Sequence, residues 1–170
     1  MQRLTATWFL FALLPTLASA QKVTVEFDET AAFSDYRTFA IREGQLNSKN
    51  PSLNNQLVRQ KIDGEIRRRL TEKGMTEAQD RPELNVRYSL GSGRRTEVEA
   101  YPAGWRGWGT RRVAVHYTEG TLVIDLRDAA KKALVWRAIS VEDKTDPMKI
   151  QERLPDMVRK SFDKYPPKPK

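Results

Sequence analysis

Apolar and polar residues alternate along several short stretches of this chain, and each such stretch predicts a half-buried strand. From 22 to 28, Val23, Val25 and Phe27 alternate with Lys22, Thr24 and Glu26. After a turn at Phe33-Ser34-Asp35, the Thr- and aromatic-rich segment 36–41 predicts a second strand. Residues 44–54 are polar, contain Pro51, and read as a surface loop. Leu84, Val86, Tyr88 and Leu90 alternate with Asn85, Arg87 and Ser89, the pattern of a strand with one wet face. Gly91-Ser92-Gly93 is expected to end that strand, and a weaker one follows over 96–100. Val113, Val115 and Tyr117 share a face over 112–117, Thr118-Glu119-Gly120 reads as a tight turn, and Leu122, Ile124 and Leu126 point inward from 121–127. A connection over 128–132 leads to a last strand over 134–141. This spacing predicts consecutive antiparallel hairpins.

Two segments carry a helical period instead. Val58, Ile62, Ile66 and Leu70 recur every four residues, with Leu57 beside them, and predict a helix over 54–73. Asp63/Arg67 and Glu65/Arg69 are spaced to pair along it, and Gly74 is a stop signal. Arg67-Arg68-Arg69 falls in the last turns, where cations suit the helix dipole. Asp146 before Pro147 is an N-cap with a first-turn proline, and Ile150, Leu154, Met157, Val158 and Phe162 form the apolar stripe of a second helix. Pro155 is expected to kink or restart it, and Tyr165-Pro166-Pro167 to end it. The resulting β-β-α-β-β-β-β-α order predicts an α+β fold: an antiparallel sheet of about six strands with both helices on one face.

The N-terminus changes the picture of where the chain works. Arg3, an apolar run from Trp8 to Leu14, Pro15, and small residues at Ala18 and Ala20 make a secretory leader over 1–20, with cleavage before Gln21. The run is too short to span a bilayer, and no later segment is apolar enough to be membrane-spanning. A single domain is expected over 21–165, with a disordered Lys/Pro tail at 166–170. The mature chain is therefore expected in the periplasm or cell envelope, soluble after cleavage. Without cysteine the chain has neither a disulfide nor a thioether-linked lipid. Its formal charge of +8 favours anionic partners: a glycan, a lipid head group or an acidic protein surface. Export sets nucleic acid aside.

Candidate chemistry is sparse. One histidine, His116, and no cysteine leave no metal site to expect, and neither a nucleophile elbow nor a phosphate-binding or dinucleotide glycine pattern occurs. No cofactor and no catalytic residues are expected. His116 alternates with Val115 and Tyr117 and reads as a solvent-face residue. Asp125 is either an acid or ligand, or the cross-strand partner of a base such as Arg137, and the second reading is favoured. One constellation suggests binding: Arg94, Arg95, Tyr101, Trp105, Arg106, Trp108, Arg111 and Arg112, around Gly104, Gly107 and Gly109. Aromatics beside arginines hold glycans by stacking and anions by charge-assisted hydrogen bonds. The alternative is that the two tryptophans fold back over the sheet edge or its open face.

Three segments carry a family resemblance. Val25-Glu26-Phe27-Asp28 with the 33–40 stretch FSDYRTFA resembles an opening "DFD … DFSxYKTFAW" pattern. The stretch TEGTLVIDLRD at 118–128, then Leu134-Val135-Trp136-Arg137, resembles a central "E-G-T-L-x-I-D-L-x-D … L-x-W-R" pattern, and Lys164-Tyr165-Pro166-Pro167 resembles a closing "KYPP". The chain thus resembles the bacterial envelope (lipo)protein family catalogued as domain of unknown function 4136. The resemblance implies an α+β domain and an envelope location, and it implies no reaction. The lipid-accepting cysteine of that family is absent here, so tethering is not carried over. The expected function is that of a non-catalytic binding module for an anionic glycan, lipid or protein partner. The alternatives are a hydrolase-like enzyme using Asp125 and Asp128, and a structural module that self-associates through edge strands.

Overall fold

The computed structural model describes residues 22–42, 44–102, 110–142 and 146–168, and over 92–102 and 110–119 it describes the backbone alone. The strands are β1 (Lys22–Phe27), β2 (Thr38–Ile41), β3 (Gln45–Asn47), β4 (Thr76–Glu77), β5 (Leu84–Pro102), β6 (Thr110–Asp128) and β7 (Ala133–Val141). The helices are α1 (Gln56–Glu72) and α2 (Pro147–Phe162). The fold is α+β, as expected, with a sheet in the order β1-β7-β6-β5-β2-β4 and β3 also paired to β5.

This sheet is mixed and has seven strands. β1, β7, β6 and β5 are antiparallel, whereas β2 and β3 run parallel to β5. The parallel pairing follows from connectivity, because α1 lies between β3 and β5 and a helical crossover returns the chain in the same direction. β3 occupies part of the expected loop at 44–54. With Leu46 as its one apolar residue, it is too short to show a period.

Both helices pack on one face of the sheet. Val58, Ile62, Ile66 and Leu70 of α1, and Ile150, Leu154 and Phe162 of α2, are buried against Leu84, Val86, Ile124 and Leu126. Asn55 caps α1 by accepting from the Val58 N–H at 3.0 Å. At the other end Gly74 has φ +82, while the Met75 and Gly74 N–H groups bond the Leu70 and Thr71 carbonyls. Asp146 caps α2 through the Met148 N–H at 3.0 Å.

Pro155 neither ends nor restarts α2, which runs unbroken from Pro147 to Phe162. A helix proline frees the carbonyl four residues earlier, here that of Gln151. The Lys61 Nζ of α1 donates to that oxygen at 3.3 Å. The neighbouring helix thus satisfies a group that the proline leaves open.

β5 and β6 differ most from expectation, with 19 residues each. They run straight through Gly91-Ser92-Gly93 and Thr118-Glu119-Gly120, where a strand end and a tight turn were expected. The glycines sit at irregularities instead. The β5–β6 register shifts between Gly91 and Gly93 and again before Glu97, and Gly120 has φ +79. β3 leaves β5 at Gly91, and β7 leaves β6 at Thr121. Among the described residues, β5 and β6 pair beyond that point only with each other, as far as Pro102 opposite Thr110. The hairpin therefore projects from the sheet as a two-stranded ribbon.

Gly44 lies against the ring of Tyr88, and its carbonyl accepts from Arg59 Nη1. A methyl group there would overlap the ring, whose surroundings are buried. Gly44→Ala is expected to cost about 1–3 kcal/mol, as an overpacked core does, read as a lower urea midpoint with an unchanged slope.

Candidate functional site

The segments that carry the family resemblance meet in space. Phe27 of β1 lies edge-on to Phe33, with ring centroids 6.2 Å apart, and Phe33 lies edge-on to Tyr165 at 5.8 Å. Trp136 of β7 stacks on Phe162 at 5.5 Å and meets Tyr165 edge-on at 5.6 Å. The opening, central and closing motifs thus supply one aromatic cluster between β1, β7 and the end of α2. Burial pushes the Tyr165 phenol up to about 12.

The acids of the central motif are engaged as well. Asp128 ends β6, accepts from the Lys131 N–H at 2.8 Å, and accepts from the Tyr36 hydroxyl at 2.9 Å. Burial works against its charge, but these hydrogen bonds outweigh it and hold the carboxyl below its ordinary range. The same contact, with burial as the larger cause, raises the Tyr36 phenol.

Asp125 sits directly across from Arg137 on β7 and accepts a bidentate pair of bonds, both 2.6 Å, from Nε and Nη2. The Arg137 side chain is fully buried. This is the cross-strand pair that the strand pattern favours for Asp125, and it leaves the carboxylate poorly placed to act as an acid or base. Among the described residues no three His, Cys, Asp or Glu side chains gather as a metal site. The helical arginines are paired too, though not all as the spacing suggests. Arg69 meets Glu65 at 2.8 Å as expected, whereas Arg67 reaches Glu77 on β4 at 2.5 Å rather than Asp63. A tertiary neighbour wins over the helical one.

Five residues of the arginine–tryptophan constellation, Arg94, Arg95, Tyr101, Arg111 and Arg112, fall on the ribbon. Tyr101 sits opposite Arg111 and Ala100 opposite Arg112 on its last rungs, and Arg94 and Arg95 lie in the irregular stretch before Glu97. Trp105, Arg106 and Trp108 lie outside the described residues, as do the side chains of the other five and of His116.

Sequence reasoning passed over a second group, on the face turned away from the helices. Arg42 follows β2, and its Nε donates to Asn85 Oδ1 at 2.6 Å. Arg127 of β6 lies directly opposite Asn85, and Arg87 is two residues further along β5. Each looked like an ordinary wet-face residue of its own strand, and only the strand order brings the three together.

A family model described as "Domain of unknown function (DUF4136)" matches residues 23–167. The chain is similar to the crystal structure of a DUF4136 family protein from Bacteroides thetaiotaomicron, with 15% identity and a TM-score of 0.59, covering 86% of this chain and 96% of that one. A PDZ domain protein from Parabacteroides distasonis is 18% identical over 87% of this chain and 35% of that one, with a TM-score of 0.48. The PelC dodecamer from Paraburkholderia phytofirmans is 9% identical over 84% and 95%, also at 0.48. The first likeness supports the fold, and the other two carry no further argument. The comparison with curated proteins finds no match.

Two outcomes follow from the acid contacts. Asp125→Asn is expected to cost about 3–5 kcal/mol in urea unfolding, because it breaks the bidentate ion pair of the buried Arg137. An Asp125→Leu/Arg137→Met double variant should recover most of that loss. The second outcome concerns acid. Asp128 and Glu83 both have lowered carboxyl values, Glu83 chiefly because its Oε2 accepts from the Arg37 and Thr38 N–H groups. Their stabilising contribution is complete above the ordinary carboxylate range, about pH 4. It is lost as pH falls through that range toward the lowered folded values, since the unfolded chain binds protons first. Thermal melts between pH 6 and 2 should show this slope, and Asp128→Asn should flatten part of it.

Proposed function

The chain belongs to the DUF4136 family, and from that premise we propose that it is an exported cell-envelope protein that works by binding rather than by catalysis. In this reading a leader over 1–20 delivers a single domain, 21–165, and the β5–β6 ribbon is its contact element. One observation carries the reading: β5 and β6 outrun every other strand of the sheet, pairing as far as Pro102 opposite Thr110, and the sequence that joins them contains Trp105, Arg106 and Trp108. A ribbon of this kind adds little to the stability of the body it leaves, so its length calls for another role. The motif acids support the same view, since Asp125 and Asp128 are tied to Arg137 and Tyr36.

The excess of basic side chains makes the partner an anionic glycan, lipid head group or protein. No helix among the described residues is long and apolar enough to cross a membrane, which fits a chain that meets its partner from outside the bilayer.

The test is a pull-down from solubilised envelope with residues 21–170, beside a Trp105→Ala/Trp108→Ala variant whose fold is verified by circular dichroism. The wild type should retain a partner that the variant loses, and salt above about 0.5 M should weaken the capture by screening. Equal capture by both proteins would move the contact away from the ribbon.

A further inference from the structure

Arg42, Arg87 and Arg127 lie on or beside three adjacent strands, on the face that neither helix covers. Alternation puts Asn85, Arg87 and Ser89 of β5 on this face, because Leu84, Val86, Tyr88 and Leu90 enter the core. Gln45 and Asn47 join them from β3, opposite Ser89 and Gly91, and both are exposed while Leu46 between them is buried.

The arginines are held in place. Arg42 is oriented by its 2.6 Å bond to Asn85, and Arg127 Nη2 donates to the Lys132 carbonyl at 3.3 Å. Arg87, between them, is exposed.

Asp125 and Glu83 are acids of the sheet beside this group, and each also bonds a partner outside it. Asp125, opposite Arg87, gives both oxygens to Arg137. Glu83 caps the start of β2. Neighbouring strands are about 4.8 Å apart, so the three guanidinium groups add positive potential to this face, which they share with Asp125 and the buried Val123. Guanidinium forks recognise planar carboxylates in a bidentate way, and the amides of Gln45, Asn47 and Asn85 are of the kind that bond hydroxyl groups.

We propose that this face binds a carboxylate-bearing polysaccharide, with its uronate groups on Arg87, Arg42 and Arg127 and its hydroxyls on the neighbouring amides. A bilayer surface fits less well. The exposed large apolar side chains among the described residues, Leu57 and Met148, belong to α1 and α2 and not to this face. The inference rests on the reading of the chain as a binding protein and names the ligand chemistry of a surface separate from the ribbon.

The test is calorimetric titration of residues 21–170 with polygalacturonate at about 0.1 M salt, a range where surface charges still act over about 10 Å. Arg42→Gln/Arg87→Gln is compared with Lys149→Gln/Arg153→Gln, which removes the same charge from α2. Arg87→Gln alone serves as the variant with least risk to the fold. The first double variant should lose about tenfold or more in affinity, as expected for charge-assisted contacts, and the α2 variant less than about twofold. Arg87→Gln should account for a clear part of the loss. Equal weakening by the two double variants would overturn the site, as would no binding by the wild type. Tighter binding to vesicles of phosphatidylglycerol than to the polymer would overturn the choice of ligand. Trp105→Ala/Trp108→Ala should bind the polymer as the wild type does. If that variant loses the envelope partner and keeps the polymer, both readings stand. If it loses the polymer, the ligand sits on the ribbon and this inference fails while the ribbon reading survives.

Discussion

Everything else in this domain depends on the packing of Trp136 against Phe162 and Tyr165. That contact joins the last long strand to the end of the last helix. Through Phe33 and Phe27 it also reaches the first strand and the turn that follows it. Residues far apart in sequence are thereby held at one end of the sheet by large apolar rings, which contribute more buried area per residue than any other side chains. The segments that resemble the family's motifs lend this contact Phe27, Phe33, Trp136 and Tyr165. In this chain they close the fold, and a role in packing accounts for them without any chemistry.

The two faces of the sheet differ in chemistry. One is apolar and closed by the helices. The other carries a row of alternating charge, Glu26, Arg137, Asp125 and Arg87, on four neighbouring strands. A buried guanidinium within such a row adds little net stability, since desolvation offsets much of the attraction. It does penalise mispairing. Sliding β7 by one residue would put Arg137 on the apolar side, so the ion pair helps to fix the register of the central strands.

Much of this was legible in the sequence. The four-residue apolar period of α1, its Gly74 stop, and the Asp146–Pro147 start of α2 are local signals, and the structure follows them. The Asp125–Arg137 pair was legible because cross-strand charge pairing is also a local rule once the hairpin is recognised. The failures are tertiary. Nothing near Pro155 announces that Lys61, some ninety positions away, will take the carbonyl it frees. β3 and β4 are too short for a period. The glycines of β5 and β6 looked like turns because glycine serves turns and strand irregularities alike. The ribbon was therefore read as separate hairpins, and the arginines of the open face as unrelated surface charges.

The ribbon is rooted in the two central strands rather than at an edge. A load applied to its tip along the strand axis would reach the body through β5 and β6 together, and the ladders binding them to β7, β3 and β2 would be sheared along their length. Rungs loaded in shear share the force and give way together, whereas rungs at an edge are peeled one after another. A tether fixed at this tip would thus pull on the domain where it is mechanically strongest, and it would leave the first strand and the helices unstrained.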